Sequence, residues 1–207
     1  RITPQSQPGT HRYQLSADGT MAIHSWSTFV QPTTWEIVSL PSHKVVRTLL
    51  DNRALSETLQ KANLGAVEFT RVGISDGLQL DACFIKPPDF DPAKKYPVFV
   101  YVYGEPAGLT VTNAWAGKDF LWRQMLAAQG YIVASFENRG TPAPRGRAWR
   151  KSVYRQIGVI APADQAACIK AISSWPFVDY SRVGIWGWSS GGSMTLNAMF
   201  RYPEIYK

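Results

Sequence analysis

The residues best equipped for chemistry lie in the run Gly187-Trp188-Ser189-Ser190-Gly191. The run fits G-x-S-x-G, a sharp strand-to-helix turn that presents a serine hydroxyl as a nucleophile. Such a turn forces unusual backbone angles and a close approach of helix to strand, which Gly187, Gly191 and Gly192 would tolerate. The amide of Ser190, at the start of the following helix, would be the first donor to negative charge developing above Ser189. The same residues also fit a plain Gly/Ser turn that caps a helix. The pattern arises by chance in roughly 5–10% of chains of this length, so its flanks must decide. Ser190 and Ser193 are weaker candidates, because they fall within the helix and not at the apex.

For the turn to work, a buried strand must lead into it and a helix away from it. "RVGIWGW" is apolar enough for the strand, and "SGGSMTLNAMF" reads as the helix. The same alternation holds upstream from residue 97. "PVFVYVYG" is a continuous apolar and aromatic run, as expected of a strand covered on both faces. "KDFLWRQMLAAQG" has helical periodicity with Gly130 in C-capping position. "YIVASFE" is a strand, and "APADQAACIKAISSW" is a helix with Pro162 near its start. This alternation implies an α/β fold, a mostly parallel sheet with helices on both faces, whose carboxyl edge would carry Ser189.

The earlier residues have a different texture. "HRYQLSADGTMAIHSWSTF" places Asp18-Gly19 between two strand-like segments, the pattern of a hairpin, and "TTWEIVSLPSHKVVRTL" repeats it with Pro41-Ser42 at the turn. Four short antiparallel strands make a sheet too small to be stable unaided, so it is expected to pack on other structure or belong to a larger array. "DNRALSETLQKA" reads as a short helix through Leu55 and Leu59. "VEFTRVGISDGLQLDACFIKPPDF" returns to strands, with Asp76-Gly77 as the turn and Leu80, Ala82 and Phe84 alternating against Gln79, Asp81 and Cys83. "PPDFDPAKKYP" is a proline-rich surface loop.

The 207 residues are 45% hydrophobic and 18% charged, ample for a buried core and unlike a disordered chain. The net charge of +7 is scattered. Its densest group, Arg145, Arg147, Arg150, Lys151 and Arg155, has the spacing of a helix or loop with a solvated face, and no nucleic-acid motif accompanies it. Cys83 and Cys168 make neither a disulfide framework nor a zinc site and are expected as buried free thiols. No metal or organic cofactor is implied. No apolar run reaches membrane-spanning length, and Arg1 opens the sequence as a cut would, with no signal segment behind it.

Four stretches, "YPVFVYVYGEP", "YIVASFENRGTP", "FVDYSRVGIWGWS" and "GIWGWSSGGSMT", resemble in this order the prolyl oligopeptidase family of serine peptidases, most closely its dipeptidyl peptidase IV branch. The resemblance implies that residues 1–75 are the C-terminal blade and exit strands of a β-propeller. Residues 76–207 would be the N-terminal half of an α/β-hydrolase catalytic domain. It also implies roles: Ser189 as nucleophile, the Ser190 amide and the Tyr103 hydroxyl as oxyanion donors, and Gly187, Trp188, Gly191 and Gly192 as the nucleophile elbow. A phenol can donate one strong hydrogen bond without carrying charge, although by its residue type alone Tyr103 is also an ordinary aromatic at a strand end. Two departures matter. Ser190 stands where the branch usually has a tyrosine that walls the pocket for the residue before the scissile bond, which puts strict post-proline specificity in doubt. Glu105 stands where a small residue is more usual, and a carboxylate beside an oxyanion is unfavourable unless it turns to solvent or a base. A peptide substrate, a homodimer of the intact protein and a periplasmic, extracellular or cytoplasmic location are all compatible with the family.

A serine hydroxyl at neutral pH needs a general base and an acid to orient that base. The α/β-hydrolases supply them in the chain order Ser, Asp or Glu, His. Here His11, His24 and His43 all precede Ser189, and the one acid after it is Glu204. The expectation is a truncated portion that lacks the triad acid and histidine, has one unpaired sheet edge and one uncovered helix face, and is inactive alone. The intact protein would be a serine exopeptidase acting through an acyl-enzyme on Ser189. An α/β-hydrolase esterase and a catalytically silent scaffold of the same shape are the alternatives.

Overall fold

A computed structural model describes residues 2–207 apart from the side chain of Asp76; Arg1 and the reading placed on it lie outside the described residues. The elements fall into two compact units, residues up to 63 with 112–122, and residues 64–111 with 123–207.

The first unit is an antiparallel meander of β1 (Thr10–Leu15), β2 (Met21–Ser27), β3 (Thr34–Ser39) and β4 (Lys44–Leu50), paired in chain order. Local chemistry sets the first turn. Gly19 adopts φ 70°, and the Asp18 carboxylate accepts from the Ser16 hydroxyl at 2.6 Å and from the Thr20 amide at 3.1 Å. The interior strand β2 buries Ala22, His24, Ser25 and Ser27, whereas every residue of the edge strand β4 is exposed. The register sets Tyr13 opposite His24 and His24 opposite Glu36, one row across three strands. Residues 112–122 complete this unit. The Asn113 side-chain oxygen accepts the Phe29 amide at 2.8 Å, the Trp115 amide donates to Ser27 Oγ at 3.1 Å, and the Phe120 ring meets Phe29 edge-on. The helix α1 (Arg53–Lys61) buries Leu59.

The second unit is a mixed sheet of order β5-β6-β8-β7-β9, made of β5 (Val67–Gly73), β6 (Gln79–Ile85), β7 (Tyr96–Tyr101), β8 (Ile132–Phe136) and β9 (Val178–Trp186). The strands β8, β7 and β9 are parallel, because α2 (Lys118–Ala128) connects β7 to β8, and α3 (Gly146–Lys151) and α4 (Ile160–Ile172) connect β8 to β9. The hairpin of β5 and β6 adds two antiparallel strands on one side. Its turn is a short 3-10 helix over Ser75–Gly77. The division expected at 75/76 falls inside this hairpin: β5 pairs with β6 along its whole length and so belongs to the mixed sheet. The last helix, α5 (Ser190–Arg201), follows β9. Leu80, Phe84, Val98, Phe136, Ile169 and Met194 are buried in the core, each side chain contributing about 1.5–3 kcal/mol.

Three expectations need correction. β7 is fully covered on one face by Val98 and Val100 but half-covered on the other, where Phe99 and Tyr101 lie. The Arg123 guanidinium, 4.3 Å from the Tyr101 ring centroid, shields that second face. In β6 the alternation is lost toward Ile85, since Cys83 is buried as well as Phe84. Among the basic residues, Arg145 is half-buried and engaged, not a freely solvated charge. It lies 4.6 Å from the Trp149 ring and donates to Asp81 at 2.9 Å. Cys83 and Cys168 are buried free thiols. The strand β9 is an edge of its sheet, with Tyr206 in an isolated parallel bridge to Val183, and Leu196, Met199 and Phe200 are exposed on α5. No described helix is long and apolar enough to cross a membrane.

Candidate active site

Two neighbouring parallel strands bring the candidate residues to one edge. Tyr101 of β7 pairs with Trp186 of β9, and the Val102 amide donates to the Trp186 carbonyl at 2.9 Å. The chain therefore leaves both strands at the same level, into Tyr103 on one side and the Gly187-Trp188-Ser189 turn on the other. This is the carboxyl edge at which parallel sheets expose their loops.

Ser189 is the N-cap of α5 with φ 54° and ψ −122°, a left-handed conformation that costs a residue with a Cβ about 1–3 kcal/mol. A capping hydroxyl could offset part of that cost, but Ser189 makes no side-chain cap bond, and the residue is exposed. The turn is held by its backbone. The Gly191 amide donates to the Trp188 carbonyl at 2.8 Å, and the Gly192 amide to the Ser189 carbonyl at 2.9 Å. Ser190 opens the helix, and its own amide has no backbone partner among the described residues. Trp188 projects into solvent, 78% exposed, and contributes no packing that would account for the strain.

The glycines have separate duties. A Cβ on Gly187 would collide with the Val102 carbonyl oxygen and with Gly191, and a Cβ on Gly191 would collide with the same oxygen and lie 3.3 Å from Tyr103 Cα. These two let the turn settle against the strand end that carries Tyr103. Gly192 differs: the nearest neighbour of an added Cβ is the Gly187 carbonyl oxygen at 3.5 Å, an ordinary contact.

Tyr103 is half-buried, and its ring is covered by the bare Cα of Gly108, where a Cβ would stand 3.0 Å from Cδ1. Behind it a buried polar network fixes the loop. Glu137 Oε2 accepts the amides of Thr110 and Val111, each at 2.9 Å. Asn138 donates to the Gly104 carbonyl at 3.3 Å, and Gln165 donates to Asn138 at 3.1 Å. Burial pushes the Glu137 carboxyl above its ordinary range, against the pull of those two amides. Arg139 clamps the buried Asp164 through its side chain at 2.7 Å and its amide at 2.9 Å. Sequence reasoning missed these supports. Their one signal is polar residues placed directly after β8, at the end of a buried parallel strand. Pro106, in the same loop as Tyr103, also lines a groove of about 520 Å³ with Pro142, Arg147, Arg150 and Tyr154.

A general base for Ser189 is not found among the described residues of this unit. The three histidines belong to the antiparallel unit, where they meet one another, and Glu204 is engaged with Lys170 at 3.6 Å.

A mixed sheet with three parallel strands, helical crossovers and a serine turn after β9 is part of an α/β-hydrolase fold, and the four-stranded antiparallel sheet is of propeller-blade type. The chain resembles the prolyl oligopeptidase family, whose sequence model matches residues 119–207. It is 33% identical over 200 residues to a probable dipeptidyl-aminopeptidase B of Metarhizium robertsii, covering 96% of this chain and 21% of that protein. It is 36% identical over 201 residues to a probable dipeptidyl-aminopeptidase B of Emericella nidulans, covering 96% and 22%. The crystal structure of Porphyromonas gingivalis dipeptidyl peptidase 4 superposes with a TM-score of 0.90 at 38% identity, over 96% of this chain and 28% of that one. The chain thus spans about a fifth of the length of these two fungal relatives.

Proposed function

We propose that Ser189 is the nucleophile of a serine exopeptidase of the dipeptidyl peptidase kind, acting on short peptides. The observation that carries this reading is the backbone of Ser189: exposed, strained to φ 54° and without a capping bond. Strain of this kind persists where the surrounding structure over-determines it, and it collects at sites of chemistry. The substrate class rests on the names of the similar proteins and on the match along nearly the whole chain.

In the proposed reaction, Ser189 Oγ adds to the carbonyl carbon of a peptide bond as its proton passes to a general base. The carbonyl oxygen gains the negative charge, and the Ser190 amide and the Tyr103 hydroxyl donate to it. The C–N bond then breaks, the amine leaves with the proton, and water hydrolyses the remaining ester on Ser189. The base and its orienting acid must come from outside residues 1–207, so these residues by themselves are expected to show no turnover. Ser190 presents a hydroxymethyl group beside the nucleophile, which leaves the pocket for the preceding residue without an aromatic wall at that point. We assign the antiparallel sheet of β1 to β4 to a last propeller blade, and the mixed sheet of β5 to β9 with its helices to the first half of the hydrolase domain.

The test is labelling of the full-length protein with a fluorophosphonate, with and without Ser189→Ala, followed by turnover of dipeptidyl amides against a simple ester. Labelling lost in the variant together with amide cleavage supports the reading. Preferred ester cleavage makes the protein an esterase, and absence of labelling makes it a scaffold.

A further inference from the structure

The histidines of the chain are far apart in sequence, yet all three converge on one face of the antiparallel sheet. His11 lies on β1, His24 on β2, and His43 on the turn between β3 and β4, where it takes φ 55°. Glu36 of β3 joins them, directly opposite His24. His24 is fully buried and Glu36 is 7% exposed. The rings of His11 and His24 stack at 5.0 Å, and His43 meets His24 edge-on at 4.7 Å.

We propose that His24, Glu36 and His43 form a structural site for a divalent transition ion of the zinc class. One ligand atom from each lies within 4.8 Å of the others. Two imidazoles and a carboxylate suit such an ion, with bonds of about 2.0–2.2 Å that set tetrahedral ligands about 3.4 Å apart. His24 Nδ1 and Glu36 Oε1 stand at 2.9 Å in a direct hydrogen bond, which opens by about 0.5 Å to admit an ion between them. The remaining closure is at most about 1.4 Å, and His43, half-buried on a turn, is the ligand free to supply it.

The chain of hydrogen bonds accommodates an ion at this place. His24 Nδ1 faces the Glu36 carboxylate, His24 Nε2 faces His11 Nδ1 at 2.8 Å, and His11 Nε2 faces the Gln7 carbonyl at 2.9 Å. The carbonyl accepts and cannot donate. Three contacts require three protons, one more than two neutral imidazoles hold, so without a metal the third sits on Glu36 or makes one ring an imidazolium beside it, and an ion takes the place of that proton. With an ion between His24 Nδ1 and Glu36 the count closes: His24 Nε2–H donates to His11, and His11 Nε2–H donates to Gln7. His11 then holds the ring of a ligand in orientation, the usual task of the group behind a metal-binding histidine. The Tyr13 hydroxyl, 2.9 Å from His43 Nε2, steadies the third ligand in the same way. An ion here would tie the β3–β4 turn to the centre of the sheet. It has no part in the reaction proposed for Ser189, so either proposal can fail without the other.

The experiment uses the full-length protein freed of metal with a chelator, then titrated with Zn²⁺ by calorimetry and, separately, with Co²⁺ by visible absorption. One ion is expected at this site, with an unfolding temperature that rises on loading and falls on chelation. His43→Ala, on an exposed turn, should weaken binding about 10- to 100-fold with the metal-free circular dichroism unchanged, and Glu36→Gln should alter the Co²⁺ spectrum. His11→Ala should weaken binding less than His43→Ala. Zn²⁺ affinity equal in the wild type and His43→Ala, or no ion retained by the wild type, overturns the proposal. If Glu36→Gln fails to fold, the His43→Ala comparison alone decides.

Discussion

Gly191 lies against Tyr103 through bare backbone: a Cβ on the glycine would stand 3.3 Å from Tyr103 Cα and collide with the carbonyl oxygen of Val102. The turn that carries Ser189 and the strand end that carries Tyr103 therefore share one contact, and the spacing of the Ser189 turn to Tyr103 depends on an absent methyl group. Gly191→Ala should push the two apart. A displacement near 1 Å can cost about 100-fold in rate, so amide hydrolysis by the full-length variant is expected to fall by that order. Gly192→Ala, with 3.5 Å to its nearest neighbour, should keep activity within a few-fold. Equal losses in the two variants would remove this account of the turn.

Removing the Tyr103 hydroxyl tests its proposed role as second oxyanion donor. Tyr103→Phe keeps the ring beneath Gly108, so the loop should stay folded, with unfolding temperature close to the wild type. Loss of one oxyanion donor costs about 100- to 1,000-fold in kcat, with little change in KM because the bond forms as charge develops. A raised KM at unchanged kcat would instead make Tyr103 a binding residue.

The elements were legible where period and punctuation agreed. The two hairpins of the antiparallel sheet showed through their turn residues, and the alternation after residue 97 showed through buried runs such as "IVASF", which becomes the fully buried β8. What was hidden depends on contacts distant in sequence. Nothing local says that 112–122 belongs with the first sheet, since Asn113 reaches Phe29 across 84 residues. The second face of β7 reads as buried because Phe99 and Tyr101 are aromatic, yet it is half-covered, by the Tyr131 and Trp186 rings and the Arg123 guanidinium. At the site, Ser189 and its glycines were visible as a motif. Glu137, Asn138 and Gln165 were not, because a buried polar group shows its role only through the partners that satisfy it. The meeting of His11, His24 and His43 follows from strand register, which no spacing in the sequence announces.

The two thiols give a measure of how tightly the second unit is closed. Burial pushes Cys83 up to about 12 and Cys168 higher still, so neither offers thiolate at neutral pH, the form that reacts. In the native protein both should resist an aromatic disulfide reagent and become accessible on unfolding in urea, followed residue by residue by mass spectrometry. Rapid native labelling at Cys83 would show that the sheet beneath α2 opens far below global unfolding.

Glu137 should make stability fall with rising pH. Its folded-state value is raised above the ordinary 4.5, first by burial and with a further contribution from Asp81, while the Val111 and Thr110 amides hold it back. Below the ordinary value the carboxyl is protonated in folded and unfolded chains alike, and its contribution is intact. As pH climbs through the raised value, the unfolded chain has already ionised and the folded one must follow inside a low-dielectric loop, so stability is lost. Glu137→Gln keeps an oxygen for both amides and cannot ionise. Its amide nitrogen would replace the buried Oε1, which has no described partner, so the variant starts from a lower, pH-independent level. The informative quantity is the difference in urea midpoint between the two proteins from pH 4 to 8. The wild type's advantage should shrink as pH rises, and parallel curves would show that Glu137 ionises as freely in the fold as in water.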